Sequence, residues 1–296
     1  MATRAELYAE QVQKLINGAK SLSPSAQAAV EKALADADRE ILGRIALLNP
    51  KSYTAVQLAS LRNDIDQALV KFRATATTNV NALQAQAATM ANKGMSDTVS
   101  AALGMGQPIG TVNMQTVLIA QGYTADLITG LSADAASKVK GVVQRAFLGG
   151  QSMGEIIEGV GRAMNGGKFS GIFTDVGDRA MRISLNEILR VHSIAGQARL
   201  EDLASRNKAI KKQWLHLPIG VPRLGHLLAD GQTVPVDEPF EIDGEELMFP
   251  RDPSGSPENT INCHCVSVPF IADSELYATA DDRATLARVG LKVSVG

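Results

Sequence analysis

The apolar spacing of this chain changes character at Asn207. Before it, apolar residues recur every three or four positions over long stretches. Beyond it, short extended runs alternate with turn residues. Such a chain is expected to fold as α+β: a largely helical N-terminal half followed by a C-terminal module of helices plus a small antiparallel sheet.

In the helical part, Ser23-Pro24 reads as an N-cap with proline in the first helical position. The apolar series Ala26, Val30, Leu34, Ala37, Ile41 and Ile45 follows, with a stop at Asn49-Pro50. A longer helix is expected from near Thr54 toward Gly94, and its second half is rich in small and amide side chains that bury little area each. That leanness suggests helices resting on a partner. Gly104 to Gly110 reads as a loop or hinge. Further helices are expected near Ser132, at Ser152-Met-Gly-Glu155 with a capping box and a stop at Gly166-Gly167, and from about Asp175 to Asn207. Gln213 to Leu217 and Cys265 to Phe270 read as strands, with turns at Asp230-Gly231, Asp243-Gly244 and Pro253-Ser-Gly255.

The net charge of -2 argues against a protein that coats nucleic acid. Between Asp230 and Glu258 nine carboxylates accompany one cation, Arg251, so that stretch opposes contact with phosphates. Asp237, Glu238, Glu241, Asp243, Glu245 and Glu246 lack the register of a calcium loop and read as solvated surface. The cluster Arg206, Lys208, Lys211 and Lys212 reads as the exposed end of a helix. No apolar run is long enough to cross a bilayer and no signal peptide opens the chain, so synthesis in a cytoplasm is expected.

Chemically versatile residues are confined to the C-terminal part. Cys263 and Cys265 are the only cysteines, and His192, His216, His226 and His264 the only histidines. Candidate metal ligands are therefore Cys263, Cys265, His226, His264 and His216, with zinc the fitting ion. The single residue between the thiols is shorter than the usual zinc knuckle, and small buried side chains without metal are the alternative reading. A cysteine nucleophile would need an imidazole base and an oxyanion site, and no glycine-rich oxyanion loop is evident. Glu187 and Arg190 have the spacing of a helical ion pair, and Trp214, the sole tryptophan, reads as a core anchor.

The order of these residues is distinctive. Gly150-Gln-Ser152-Met-Gly-Glu155 is followed by Arg182-Ile-Ser-Leu-Asn186-Glu187, Trp214, Pro222-Arg223-Leu-Gly-His226-Leu-Leu-Ala-Asp230-Gly231, Phe240, Pro250 and Asn262-Cys263-His264-Cys265. Over about residues 149 to 270 it resembles the phage Mu F-like minor head protein family, also called phage head morphogenesis proteins. This chain has Asn186 where the family commonly shows threonine, His264 where it shows arginine, and Thr260-Ile261 where proline and histidine are frequent.

The resemblance implies a low-copy virion protein inside the head of a tailed phage or prophage, near the portal, aiding head assembly and DNA packaging or ejection. Its implied partners are the portal protein and a scaffold or major capsid protein, with at most weak contact to packaged DNA and no membrane during assembly. The expected organisation is a helical docking region over residues 1–148, the Mu F-like module over 149–270 and a tail over 271–296. Arg182 and Glu187 are expected to bond across to Arg223 and His226, with Cys263 and Cys265 locking the last strand beneath. No catalytic residue is assigned. The rival readings are a phage-borne enzyme or effector and a zinc-dependent nucleic-acid-binding module.

Overall fold

The computed structural model describes residues 2–47, 55–108, 110–149, 151, 153–166, 171–219, 221–271 and 274–292. The expected helix stop at Asn49-Pro50, the start at Thr54, the Ser152 cap and Gly167 fall outside them. The element order is α1 (Arg4–Ala46), α2 (Ala55–Leu103), α3 (Met114–Leu148), α4 (Met153–Asn165), α5 (Ile172–Arg206), β1 (Ile210–Leu215) and α6 (Leu224–Leu228). Then follow β2 (Thr233–Pro235), β3 (Phe240–Ile242), β4 (Glu245–Leu247), α7 (Pro257–Thr260), β5 (Val266–Ile271), a 3-10 turn (Ser274–Tyr277) and α8 (Ala280–Arg288). This is the expected α+β arrangement, helical first and with a small antiparallel sheet in the C-terminal part. Among the described residues no helix is long and apolar enough to cross a membrane.

Two helices differ from the sequence expectation. Pro24 does not open a helix but lies inside α1. A proline there removes one intrahelical hydrogen bond and costs roughly 3 kcal/mol. The buried series Leu15, Ala19, Leu22, Ala26, Val30 and Ala33 continues through it and offsets that cost. Likewise α3 starts at Met114 rather than near Ser132, whose hydroxyl instead donates to Leu69 O at 2.9 Å. The glycine-rich loop lies where expected: Gly104, at φ +65, ends α2, and Met105 N–H returns to Ser100 O.

The chain forms two compact units. The first contains Met1–Ser23, Leu83–Leu118 and Asn186–Gly296; the second contains Pro24–Ala82 and Ile119–Leu185. This grouping differs from a linear division at residue 148, because each of the long helices α1, α2, α3 and α5 contributes to both units.

In the second unit helices pack on helices. Lys140 pairs with Asp66 and Lys71 with Glu40, both at 2.7 Å, and a Cβ on Gly177 would meet Leu34 at 3.1 Å. In the first unit, small residues allow α1 and α5 to approach α2. A Cβ on Gly94 would lie 2.4 Å from Leu15, and one on Gly196 would lie 2.8 Å from Met95. The alanine-rich second half of α2 thus buries Ala87, Ala88 and Ala91 by close approach rather than by bulk.

The sheet of the first unit has the order β2-β1-β5, with β1 antiparallel to both neighbours; Trp214 pairs with Ser267 and Leu215 with Val266. A separate hairpin joins β3 to β4 through Asp243-Gly244, both with positive φ, the turn that those residues signal in the sequence. Tyr8 of α1 is fully buried and donates its hydroxyl hydrogen to Pro269 O of β5 at 2.5 Å. Residues 274–292 of the expected tail make contacts with the first unit. Thr279 and Asp282 form a capping box on α8, Leu276 and Leu286 are buried, and Lys292 exchanges backbone hydrogen bonds with the Gln213 amide.

Candidate functional site

The first unit gathers its chemically capable residues around one buried point. β1 presents Trp214, α6 presents His226, and the turn between α7 and β5 presents Cys263 and Cys265. All four are at most 3% exposed. Trp214 meets His226 edge to face at 5.7 Å between ring centres and Phe240 at 5.3 Å. The backbone at Asn262 has φ +55, so the chain bends just before Cys263, and β5 begins only at Val266. Both thiols are free and both reach His226: Cys263 Sγ lies 3.6 Å and Cys265 Sγ 3.4 Å from Nδ1.

The histidine is held from behind. Asn259 Nδ2 donates to Ile242 O at 3.4 Å, which turns Oδ1 toward His226 Nε2 at 3.3 Å. In the tautomer that donates Nε2–H to this oxygen, Nδ1 presents its lone pair to the sulfurs. Gly225 is needed for this placement, since a Cβ there would lie 2.6 Å from Asp243 Cβ.

A guanidinium supports the cluster from the other side. Arg251, 1% exposed, donates to Cys263 O and, at 3.0 Å, to Ser193 Oγ of α5. Arg190 Nε donates to Arg251 O at 3.2 Å, while its Nη1 grips both oxygens of Glu187 at 2.8 Å. Cys263 is held well below the ordinary thiol range by the hydrogen bond from Cys265, aided by the Arg251 charge against the effect of burial. Cys265 is pushed up, first by that shared hydrogen bond and then by burial. Glu187 is raised by burial, with Arg190 opposing.

His216, His226, His264, Cys263 and Cys265, the five candidate ligands, all line one recess of about 400 Å3, together with Arg223. Only His226, Cys263 and Cys265 bring their ligand atoms within 4.8 Å of one another among the described residues. Arg223 does not bond to His226; it donates to Ile261 O. Arg182 is exposed, on the part of α5 in the second unit, where it lines a recess with Asp134, Asp178 and Arg179. Glu187 takes Arg190 as its ion partner.

Sequence reasoning gave no role to Arg251, Asn259 or Ser193. The signal for Arg251 was its isolation among nine carboxylates. Lys212 also departs from expectation. It is wholly buried in β1, donates to Met248 O at 2.7 Å, stands 4.9 Å over the Phe240 ring, and is pushed down to about 8 by burial.

His192, buried on α5, is pushed down to about 4 by burial and then by Arg251. The unfolded chain, with an imidazole value of about 6.5, takes up this proton first. The stabilisation from keeping His192 neutral is therefore complete above about pH 6.5 and is lost as pH falls toward 4, a loss on the order of 3 kcal/mol. Urea melts at about pH 7.5 and about pH 4.5 should show a smaller acid loss in His192→Gln than in the parent.

No family model matches the chain. An uncharacterised protein, YqbB of Bacillus subtilis (strain 168), is 34% identical over 115 residues, covering 38% of this chain and 37% of that protein. The NAD(+)–arginine ADP-ribosyltransferase EFV of Enterococcus faecalis (strain ATCC 700802 / V583) is 32% identical over 93 residues, 31% of this chain and 19% of the enzyme. The chain thus spans little more than a third of one curated relative and a fifth of the other. No solved structure matches it.

Proposed function

We propose that the chain is a minor head protein of a tailed phage or prophage, docked on the portal inside the head and aiding assembly and the packaging or ejection of DNA. The observation that carries this reading is an exposed apolar face beside a core that has drawn the chemically capable residues inward. Leu224 and Leu228 of α6 are 72% and 78% exposed, Leu227 beside them 43%, and Val221 just before the helix 94%. A face of this kind on a short helix marks a protein contact. The β3–β4 hairpin against α6 exposes Glu241 and Glu246, so a protein surface suits it better than DNA phosphates. The motif order that resembles the Mu F-like family supplies the class of partner: Trp214, His226, Cys263 and Cys265 of that motif are the residues buried here.

Leu224→Lys with Leu228→Lys should leave the circular-dichroism melt within about 1 kcal/mol of the parent, because both side chains are exposed. The same pair should reduce the amount cross-linked to portal in purified particles at least about tenfold, equivalent to roughly 1.4 kcal/mol of docking energy. Undiminished cross-linking, or absence of the parent chain from particles, would count against the reading.

The partial likeness to an ADP-ribosyltransferase favours one second reading, that of an effector carried by the particle. Incubation of the whole chain with NAD+ and an arginine-bearing acceptor distinguishes them: transfer of ADP-ribose supports the effector, and its absence supports the head protein.

A further inference from the structure

We propose that the first unit binds one zinc ion through His226 Nδ1, Cys263 Sγ and Cys265 Sγ, with the remaining coordination position facing the recess lined by His216 and His264. The inference goes beyond the head-protein reading and does not depend on it.

The geometry is that of a ligand set. A tetrahedral zinc ion with sulfur at about 2.3 Å and nitrogen at about 2.05 Å places sulfur and nitrogen about 3.5 Å apart. The two separations here are 3.6 and 3.4 Å. Ligand type agrees, since two sulfurs and an imidazole suit zinc, whereas hard cations take oxygen. The outer contacts agree as well. A metal-bound imidazole commonly donates its second ring N–H to an oxygen, and His226 does so to Asn259, which Ile242 O orients in turn.

Metal-free packing accounts for the arrangement less well. Nδ1 offers one lone pair and two sulfurs approach it, so at most one thiol donates well to it. A metal ion engages all three atoms at once. The buried indole of Trp214, which shares the cluster of the two cysteines, and the buried Arg251 guanidinium both suit sulfurs carrying thiolate charge. Binding is redox-neutral: two Zn–S bonds and one Zn–N bond form, and each S–H that ionises releases its proton to solvent.

The zinc would tie α6 to the turn before β5. Those two pieces lie 37 residues apart in sequence at His226 and Cys263, and among the described residues the region between them carries three short strands and the single helical turn α7. Such a staple offsets the small core of this part of the chain, built from Trp214, Phe240, Ile242 and Leu247.

The test uses the full chain, stripped of metal by chelator under reducing conditions and checked by circular dichroism for retained fold. Titration with cobalt(II) should saturate at one equivalent and produce thiolate-to-metal charge-transfer bands with the intense visible bands of a tetrahedral site. Zinc should displace the cobalt and raise Tm by at least about 5 °C. Cys263→Ser with Cys265→Ser should abolish the charge-transfer bands. A folded parent chain that shows neither the bands nor a shift in Tm would overturn the proposal. So would a double serine variant that keeps the same bands. Both readings on the parent chain stand even where a variant fails to fold.

Discussion

Replacing Trp214 by alanine should destabilise the first unit by about 3–5 kcal/mol, the range for removing a large buried aromatic. The indole is fully buried, pairs in register on β1 with Ser267, and meets His226 and Phe240 edge to face. Its loss would open a cavity among Ala229, Phe240, Ile242, Leu247, Cys263 and Cys265, which share its cluster. Most of the surrounding pieces are short strands and turns that cannot collapse inward without breaking the β1–β5 ladder. Trp214→Phe should cost less, about 1–2 kcal/mol, because it keeps one ring and its contact with Phe240. Urea unfolding followed by far-ultraviolet circular dichroism measures both, and a loss below about 1 kcal/mol for Trp214→Ala would show that the cluster does not support the unit. In the parent, this sole tryptophan also reports the site through its fluorescence, which quenching by thiolate or metal should alter.

The helical texture before Asn207 and the extended texture after it were legible because periodicity reports directly which face of an element is buried. The turns at Asp243-Gly244 and Gly104 were legible because positive φ favours glycine and aspartate. Helix starts were less so. Ser23-Pro24 is a sound local cap signal, yet α1 passes through it, since burial on both sides outweighs one lost hydrogen bond. The site was half legible. Residue type alone offered five candidate ligands, Cys263, Cys265, His226, His264 and His216, of which the structure brings the ligand atoms of His226, Cys263 and Cys265 together. It could not reveal which cation would be buried, because a lysine in a strand or an arginine in a turn looks the same from the sequence whether it faces solvent or the interior. Lys212 and Arg251 were therefore missed as interior groups, and Arg182 was expected in a network that Arg190 and Arg251 occupy.

Arg251→Met should cost about 3–5 kcal/mol, even though methionine keeps much of the buried volume. The guanidinium is the hub between α5 and the cysteine turn, donating to Cys263 O and Ser193 Oγ. Without it, a buried carbonyl and a buried hydroxyl lose their partner at a point where water has little access. Arg251→Lys keeps the charge but not the fork, so it should recover at most about half of the loss. The backbone supplies a further control. Arg251 has φ +68, a conformation that costs an L-residue about 1 kcal/mol and glycine nothing. Arg251→Gly therefore relieves backbone strain while removing the same hydrogen bonds. If the guanidinium stabilises the unit as its contacts imply, the glycine variant is still clearly less stable than the parent in urea melts. A glycine variant as stable as the parent would mean that the turn geometry, and not the side chain, sets the position of Cys263.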